Sequence, residues 1–232
     1  MSNKNELRNQ RINTVINITS KGQEKEVMLA LRNVEEKIRF NFPYLVLDFK
    51  KKMFLKNIVE HLKKHFINID FFYNFDTSFI TPDGGFLSIV DRNNNIYPIL
   101  IPEVKNQGTN DLRLQEGLKK QPQGNAIERL GKNVIGLRAY FLTENIFPFV
   151  CFGYGCDFDK DSSILDRVIT IAMFGELNKI YLHNQKLFNR GSFYFRKEKW
   201  SIKEMSSIMY EIAEKSIYYY FSKYNKNNFM LQ

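Results

Sequence analysis

Apolar residues recur at helical spacing in two stretches near the beginning of the chain. In residues 24–40 the apolar positions lie three or four residues apart, which predicts an amphipathic helix that ends before Pro43. Residues 50–66 predict a second helix with its lysines turned outward. Two other stretches are apolar without this spacing: we interpret residues 44–49 as a short extended segment and residues 67–80 as one or two strands.

The clearest pattern is that of a β-hairpin. Residues 86–90 and 96–101 are apolar runs of strand length, and the polar residues 91–95 between them are typical of a turn. Folding the chain about this turn brings Asp83 opposite Glu103. The sequence therefore predicts two carboxylates side by side at the open end of a hairpin.

The second strand of this hairpin carries a lysine on the same face as its carboxylate. Successive side chains of a strand alternate between its two faces, so Glu103 and Lys105 share one face and Val104 points to the other. Proline has no backbone N–H to donate to a neighbouring strand, yet Pro98 and Pro102 lie in this strand. We therefore expect a bulge or an edge position near Pro102.

The open end of the hairpin has the composition of a metal-dependent hydrolytic site. Two carboxylates, here Asp83 and Glu103, can hold Mg²⁺, which prefers oxygen ligands and keeps several waters. A lysine such as Lys105 can orient a metal-bound water, or help to deprotonate it, for attack on phosphorus. The alternative interpretation is a surface hairpin with an ordinary salt bridge.

Residues 124–142 predict a helix that begins with polar side chains suited to bases. Asn125 and Glu128 have the spacing of a capping box. The first turn would present Asn125, Glu128 and Arg129, and Asn and Arg are side chains that hydrogen-bond purines in the major groove. The alternative interpretation is an ordinary capped helix with a solvated surface.

Two apolar runs follow this helix. Residues 147–154 are typical of a buried strand in a parallel sheet. Residues 164–174 predict a further strand with Arg167 near its start, and residues 177–196 support no assignment.

The last part of the chain predicts one more helix and completes the fold class. Ser201 and Glu204 have capping-box spacing before an apolar helical stripe, and we expect the polar tail from Lys223 to fray. The order of helices and strands predicts an α/β fold with a mixed central β-sheet flanked by helices. We interpret residues 1–22 as a basic N-terminal arm and residues 23–232 as a single domain.

Composition and charge narrow the class of partner. The chain has 232 residues, a formal net charge of +9 and a pI near 9.4. Such an excess favours a polyanion, either nucleic acid or, less often, an anionic membrane surface. The polar start does not resemble a signal peptide and no apolar run is long enough to cross a membrane, so we expect a cytoplasmic protein. The two cysteines, Cys151 and Cys156, are expected to be buried free thiols.

Taken together, these motifs resemble the EcoRI type II restriction endonuclease family of the PD-(D/E)XK nuclease superfamily. The resemblance is carried by PDGG at residues 82–85, EVKNQG at residues 103–108 and GNAIER at residues 124–129. Weaker similarity extends it over about residues 23–220. The fold that it implies is the α/β core of that superfamily, with a mixed sheet.

The resemblance also implies roles for particular residues. Asp83, Glu103 and Lys105 match the catalytic residues of the family, and Asp83, Glu103 and the backbone of Val104 are the implied Mg²⁺ ligands. The residues implied to contact or help to read DNA are Gly124, Asn125, Ala126, Glu128, Arg129 and Arg167.

Members of this family are homodimers that cut palindromic double-stranded DNA. The resemblance implies an AATT core, with GAATTC as the first candidate site and CAATTG as an alternative, because residues 121–123 (Gln-Pro-Gln) differ from the family. It also implies a cognate DNA methyltransferase in the same restriction-modification system. Two other functions remain open: a structure-specific DNA repair nuclease and a non-catalytic DNA-binding protein of the same fold.

Overall fold

The structure is a computed structural model that describes residues 15–106, 125–158, 164–171 and 191–230, together with residues 110, 115, 117 and 162. The helices are α1 (Val15–Asn41), α2 (Leu55–His65), α3 (Asn125–Tyr140), α4 (Ile164–Ile171) and α5 (Ile202–Tyr224). The strands are β1 (Val46–Lys50), β2 (Met53–Phe54), β3 (Phe79–Ile80), β4 (Phe86–Val90), β5 (Ile96–Asn106), β6 (Phe149–Tyr154) and β7 (Ser192–Arg196). Two 3₁₀ turns span Cys156–Phe158 and Lys226–Phe229.

Five of the strands form a mixed sheet in the order β1-β4-β5-β6-β7. The pairs β1–β4 and β4–β5 are antiparallel, whereas β5–β6 and β6–β7 are parallel. Strands β2 and β3 form a separate two-stranded ribbon. The predicted hairpin is therefore confirmed as β4 and β5, and the mixed sheet flanked by helices is confirmed as well.

The two faces of the sheet bury different sets of helices because alternate strand residues point to opposite sides. On one face, Val104 and Phe152 pack in a common core with α1 and α5. On the other face, Ile101 and Phe149 pack with α3 and α4. We call these the α1/α5 face and the α3/α4 face. None of the helices in the described ranges is long and apolar enough to span a membrane.

The last helix begins as its sequence predicts. The Ser201 side chain accepts a hydrogen bond from the Glu204 backbone N–H at 3.2 Å, and the Ser201 N–H donates to Glu204 Oε2 at 2.9 Å. Both bonds satisfy N–H groups that a helix start would otherwise leave unpaired, so the predicted capping box is confirmed. The end of this helix differs from the prediction of a frayed tail. Phe229 is fully buried beyond it, and Arg92 Nη2 donates to the Met230 carbonyl at 2.8 Å.

The predicted strand at residues 164–174 is wrong over the part that the structure describes. Residues 164–171 form helix α4, in which Ile164 and Val168 are buried four positions apart while Asp166 and Arg167 are exposed. The β-branched residues of this segment favoured a strand, but the burial has helical spacing. Residues 172–174 lie outside the described residues.

Several boundaries also differ from the sequence-based expectations. Helix α1 begins at Val15 rather than at residue 24, inside the segment interpreted as a basic arm, and its polar Gln23 is buried. The second helix begins only at Leu55, after a short strand. Of residues 67–80, only Phe79–Ile80 form a strand. Strand β7 lies in the stretch that supported no assignment.

The irregularity in the hairpin lies near Pro98 rather than near Pro102. Leu87 pairs with Leu100 but Ser88 pairs with Pro98, so the extra residue is Ile99. Strand β5 is central rather than an edge, which corrects the alternative expectation. Pro102 is tolerated because β4 has not yet begun opposite it, so the sheet needs no N–H there.

Candidate active site

The turn before β4 lies directly against β5. The Gly84 N–H donates to the Pro102 carbonyl at 2.9 Å, and Gly85 has a φ of 69°, in the left-handed region that favours glycine. A Cβ atom on Gly84 would stand 2.4 Å from Pro102 Cγ, so a larger residue would push the turn away from the strand. These two glycines let Asp83 approach the side chains of β5.

Asp83, Glu103 and Lys105 make direct contacts with one another. Asp83 Oδ2 accepts hydrogen bonds from the Val104 N–H at 3.0 Å and from Lys105 Nζ at 3.1 Å. The Asp83 N–H donates to Glu103 Oε2 at 3.0 Å, and Lys105 Nζ also forms an ion pair with Glu103 Oε1. The lysine ammonium therefore lies between two carboxylates, as the hairpin pattern predicts.

The three side chains differ in their access to solvent. The side chain of Glu103 is 2% exposed, whereas those of Lys105 and Asp83 are 17% and 21% exposed. Burial raises the pKa of Glu103, the nearby Lys105 charge opposes this shift, and Asp83 reinforces it. Burial alone would lower the pKa of Lys105, but the charges of Glu103 and Asp83 outweigh it and raise this pKa. Lys105 is consequently an ammonium, a hydrogen-bond donor, at neutral pH.

A residue that sequence reasoning did not include lies beside this group. Cys151 of β6 is the parallel-strand neighbour of Glu103 and is fully buried on the α3/α4 face. Burial raises the pKa of its thiol well above the usual value, so it acts as an apolar neighbour. Only the register between β5 and β6 could have revealed this contact, and register is not readable from either strand alone.

The donor set suits a hard cation such as Mg²⁺. The described residues contain no cluster of three or more His, Cys, Asp or Glu side chains, so a cation here would rely on two carboxylates and on other oxygens. One of these is available: the Val104 N–H points to Asp83, and the N–H and C=O of one strand residue point to the same side. Two carboxylates, a carbonyl and several waters match the ligands that Mg²⁺ uses in enzymes that act on phosphates.

The predicted base-reading residues lie at the start of α3, and the structure describes them in part. The helix begins at Asn125, Gly124 lies outside the described residues, and the side chains of Asn125 and Ala126 are not described. Glu128 and Arg129 are exposed and pair with no residue in the described ranges. The inward face of the helix is confirmed. Its buried members are Ile127, Leu130, Val134, Leu137 and Phe141.

The chain connection places the start of α3 towards the end of β5. Strand β5, helix α3 and strand β6 form a βαβ unit, because β5 and β6 are parallel neighbours. The end of α3 lies near the start of β6, where the rings of Phe141 and Phe147 are 5.6 Å apart. A helix of 16 residues is about 24 Å long, so its beginning lies back towards the edge where β5 ends with Lys105.

Arg167 lies elsewhere, on an exposed face of α4 rather than at the start of a strand. Helix α4 packs in the same core as α3, through Ile164 and Val168. Arg167 therefore lies on the same side of the sheet as Arg129.

Comparison with known proteins agrees with this arrangement. The family model of restriction endonuclease EcoRI matches residues 9–164. The type II restriction enzyme RsrI of Cereibacter sphaeroides is 29% identical, covering 78% of each chain, and the type II restriction enzyme EcoRI of Escherichia coli is 27% identical, covering 79% of this chain and 80% of the other.

Among solved structures, the MunI restriction endonuclease in complex with cognate DNA is 18% identical over 84% of this chain and 88% of that one, with a TM-score of 0.31, too low to support any conclusion. The family model covers well over half of the chain and contains Asp83, Glu103, Lys105 and the start of α3. The chain belongs to the EcoRI family of type II restriction endonucleases.

Proposed function

We propose that this family member is a Mg²⁺-dependent endonuclease that cuts both strands of double-stranded DNA at a palindrome with an AATT core. The first candidate site is GAATTC, cut to leave 5′ AATT overhangs, and CAATTG is the alternative. The observation that carries the proposal is the contact of Lys105 with both Asp83 and Glu103 at the end of the hairpin. A protein that only bound DNA would gain nothing from two carboxylates placed close to phosphates.

In this proposal Asp83, Glu103 and the Val104 carbonyl hold the cation. When bound, Mg²⁺ would supply an activated water and neutralise charge on the phosphate. Lys105 donates hydrogen bonds: it orients the attacking water and stabilises the charge that develops on the phosphoryl oxygens. The water oxygen forms a bond to phosphorus while the bond to the 3′ oxygen breaks, which leaves a 5′-phosphate and a 3′-hydroxyl.

Sequence recognition is assigned to the start of α3. An Asn side chain can bond an adenine edge through two hydrogen bonds, and Arg can bond guanine in the same way, so Asn125 and Arg129 are suited to reading purines. Glu128 would position these two side chains, and Gly124, Ala126 and Arg167 complete the proposed DNA contacts. A helix N-terminus also favours phosphate, which supports a backbone contact at the same place.

A palindromic site requires two copies of this surface related by two-fold symmetry, and we therefore propose a homodimer. The dimer would work in the cytoplasm, on DNA that enters the cell. A cognate methyltransferase would protect host DNA in the same system without being a stable subunit.

The proposal is tested by digesting a fully sequenced plasmid with the protein and Mg²⁺ and then sequencing the fragment ends. Ends that map to one hexamer with an AATT overhang support the function and name the outer base pair. Ends scattered through the plasmid would leave a nuclease but refute the reading role of Asn125 and Arg129. An intact plasmid containing both hexamers, in the presence of Mg²⁺, would refute the function.

A further inference from the structure

Three consecutive lysines lie next to the proposed catalytic residues. Lys50 ends β1, Lys51 and Lys52 connect it to β2, and all three side chains are exposed. We call these residues the lysine turn.

The lysine turn runs alongside the turn that carries Asp83. On one side of it Lys50 pairs with Phe86 of β4, and on the other side Met53 pairs with Ile80 of β3. The chain between these two partners is the segment that contains Asp83. Two antiparallel strand pairs therefore hold the two turns side by side.

The two turns are in backbone contact. A Cβ atom built on Gly85 would stand 2.8 Å from the carbonyl oxygen of Lys50 and 2.9 Å from the Phe49 ring. Paired strands lie about 5 Å apart, and nucleotides follow one another along a DNA strand with a rise of about 3.4 Å. A DNA strand whose scissile phosphate lies at Asp83 would therefore place the neighbouring phosphates beside the lysine turn.

The charges of this turn are available to a polyanion. The Lys52 ammonium lies 4.6 Å from the ring centroids of both Phe54 and Phe79, a contact that orients the ammonium without neutralising it. Lys51 forms no ion pair with any residue that the structure describes. By contrast, exposed lysines elsewhere, such as Lys215 with Glu211, lie against a carboxylate.

We propose that Lys51 and Lys52 bind the DNA phosphates next to the scissile phosphate. They are positioning residues: they hold the backbone so that the reacting phosphate reaches Asp83 and Lys105. The inference rests on the proposed function, since it takes DNA as the substrate of this site.

The test is the salt dependence of DNA binding by the double variant Lys51→Ala/Lys52→Ala. A labelled duplex containing GAATTC is titrated without Mg²⁺, over about 50 to 200 mM salt, so that binding is measured without cleavage. Each phosphate contact contributes about 0.9 to the slope of log K against log salt, so the slope should become shallower by about 1 to 2. The variant Lys51→Arg/Lys52→Arg should keep the parent slope.

A matched control removes the same charge from the other side of the molecule. Lys37→Ala/Lys203→Ala alters exposed lysines of α1 and α5, and the Lys37 ammonium also lies over a ring, 3.8 Å from the centroid of Tyr210. The control should keep the parent slope. A double variant at the lysine turn with the same slope as the control would overturn the inference.

A second measurement locates the contact. Neutral methylphosphonates replace, one at a time, the phosphates on either side of the scissile bond. The parent should lose affinity at one or two of them, and the lysine-turn variant should lose nothing further there; equal losses in both proteins would also overturn the inference. Plasmid cleavage by the parent is scored separately: a parent that binds DNA but cuts nothing refutes the proposed function, while the slope still decides the inference.

Discussion

The end of the β4–β5 hairpin and the start of α3 carry the two halves of the proposed activity, and they are built in opposite ways. At the hairpin, Asp83, Glu103 and Lys105 are largely buried and satisfy one another with hydrogen bonds and ion pairs. At the start of α3, Glu128 and Arg129 are exposed and have no partner in the described ranges.

The difference follows from when each region meets its substrate. Groups that stabilise a transition state work best when they are already oriented, because no reorganisation is then needed during the reaction. Groups that read bases must leave their hydrogen-bonding atoms free for the DNA. Substitutions at the hairpin should therefore change both rate and folding stability, whereas substitutions at the start of α3 should change discrimination alone.

The largest effect is expected from Asp83→Asn. The amide oxygen can still accept the Val104 N–H, so the turn should stay in place, but a charged cation ligand is lost. A loss of several kcal/mol of transition-state stabilisation corresponds to a decrease in cleavage rate of about 10³-fold. The rate is measured on supercoiled plasmid, with Glu36→Gln, an exposed carboxylate of α1, as control. A decrease of less than tenfold would remove Asp83 from the cation site.

Lys105→Met should lower stability, and more so at high pH. Burial raises the pKa of Glu103 and Lys105 opposes the shift, so losing the lysine raises this pKa further. A carboxyl whose pKa is raised by folding favours the folded state at low pH, and this advantage is lost as the pH rises from about 4.3 through the raised value.

The unfolding free energy of Lys105→Met should therefore fall by up to about 3–5 kcal/mol near pH 8, and by much less near pH 5. Urea unfolding followed by circular dichroism measures both values. Equal losses at the two pH values would show that the ammonium does not balance a buried charge.

Gly84→Ala should impair chemistry through position alone. The added Cβ would meet Pro102 Cγ at 2.4 Å and push Asp83 away from β5, and a shift of about 1 Å can cost about 100-fold in rate. Gly22→Ala is the matched control, because a Cβ there meets nothing within 4 Å. If cleavage by Gly84→Ala equals that of the control, the close contact between turn and strand is not needed for catalysis.

The smallest effect on the fold is expected from Arg129→Ala. Since Arg129 is exposed and unpaired among the described residues, stability should change by less than about 0.5 kcal/mol. Discrimination between the cognate duplex and one with a single altered purine should fall by about 1–3 kcal/mol. Competition binding with the two duplexes measures this difference, and an equal loss of affinity for both would make Arg129 a backbone contact.

Much of the catalytic geometry could be predicted from local pattern. The two apolar runs and the polar turn between them indicate the hairpin, and strand alternation puts Glu103 and Lys105 on one face. The capping box at Ser201 and the buried strand β6 were likewise readable, because each depends on neighbours in sequence.

Other features were decided only by tertiary contacts. Residues 164–171 are rich in β-branched side chains, yet they form a helix because Ile164 and Val168 pack in the core beside α3. Phe229 holds the tail because its ring packs against Tyr97 and Phe221, far from it in sequence.

By itself, then, the sequence determined which side chains could form the site and which strand faces they share, because period and turn chemistry are local properties. The burial of Glu103, the contact of one ammonium with two carboxylates, the position of Cys151 and the adjacency of the lysine turn to Asp83 came from the tertiary structure. Each of these depends on the register between strands that are distant in sequence, and register is set by packing across the whole sheet.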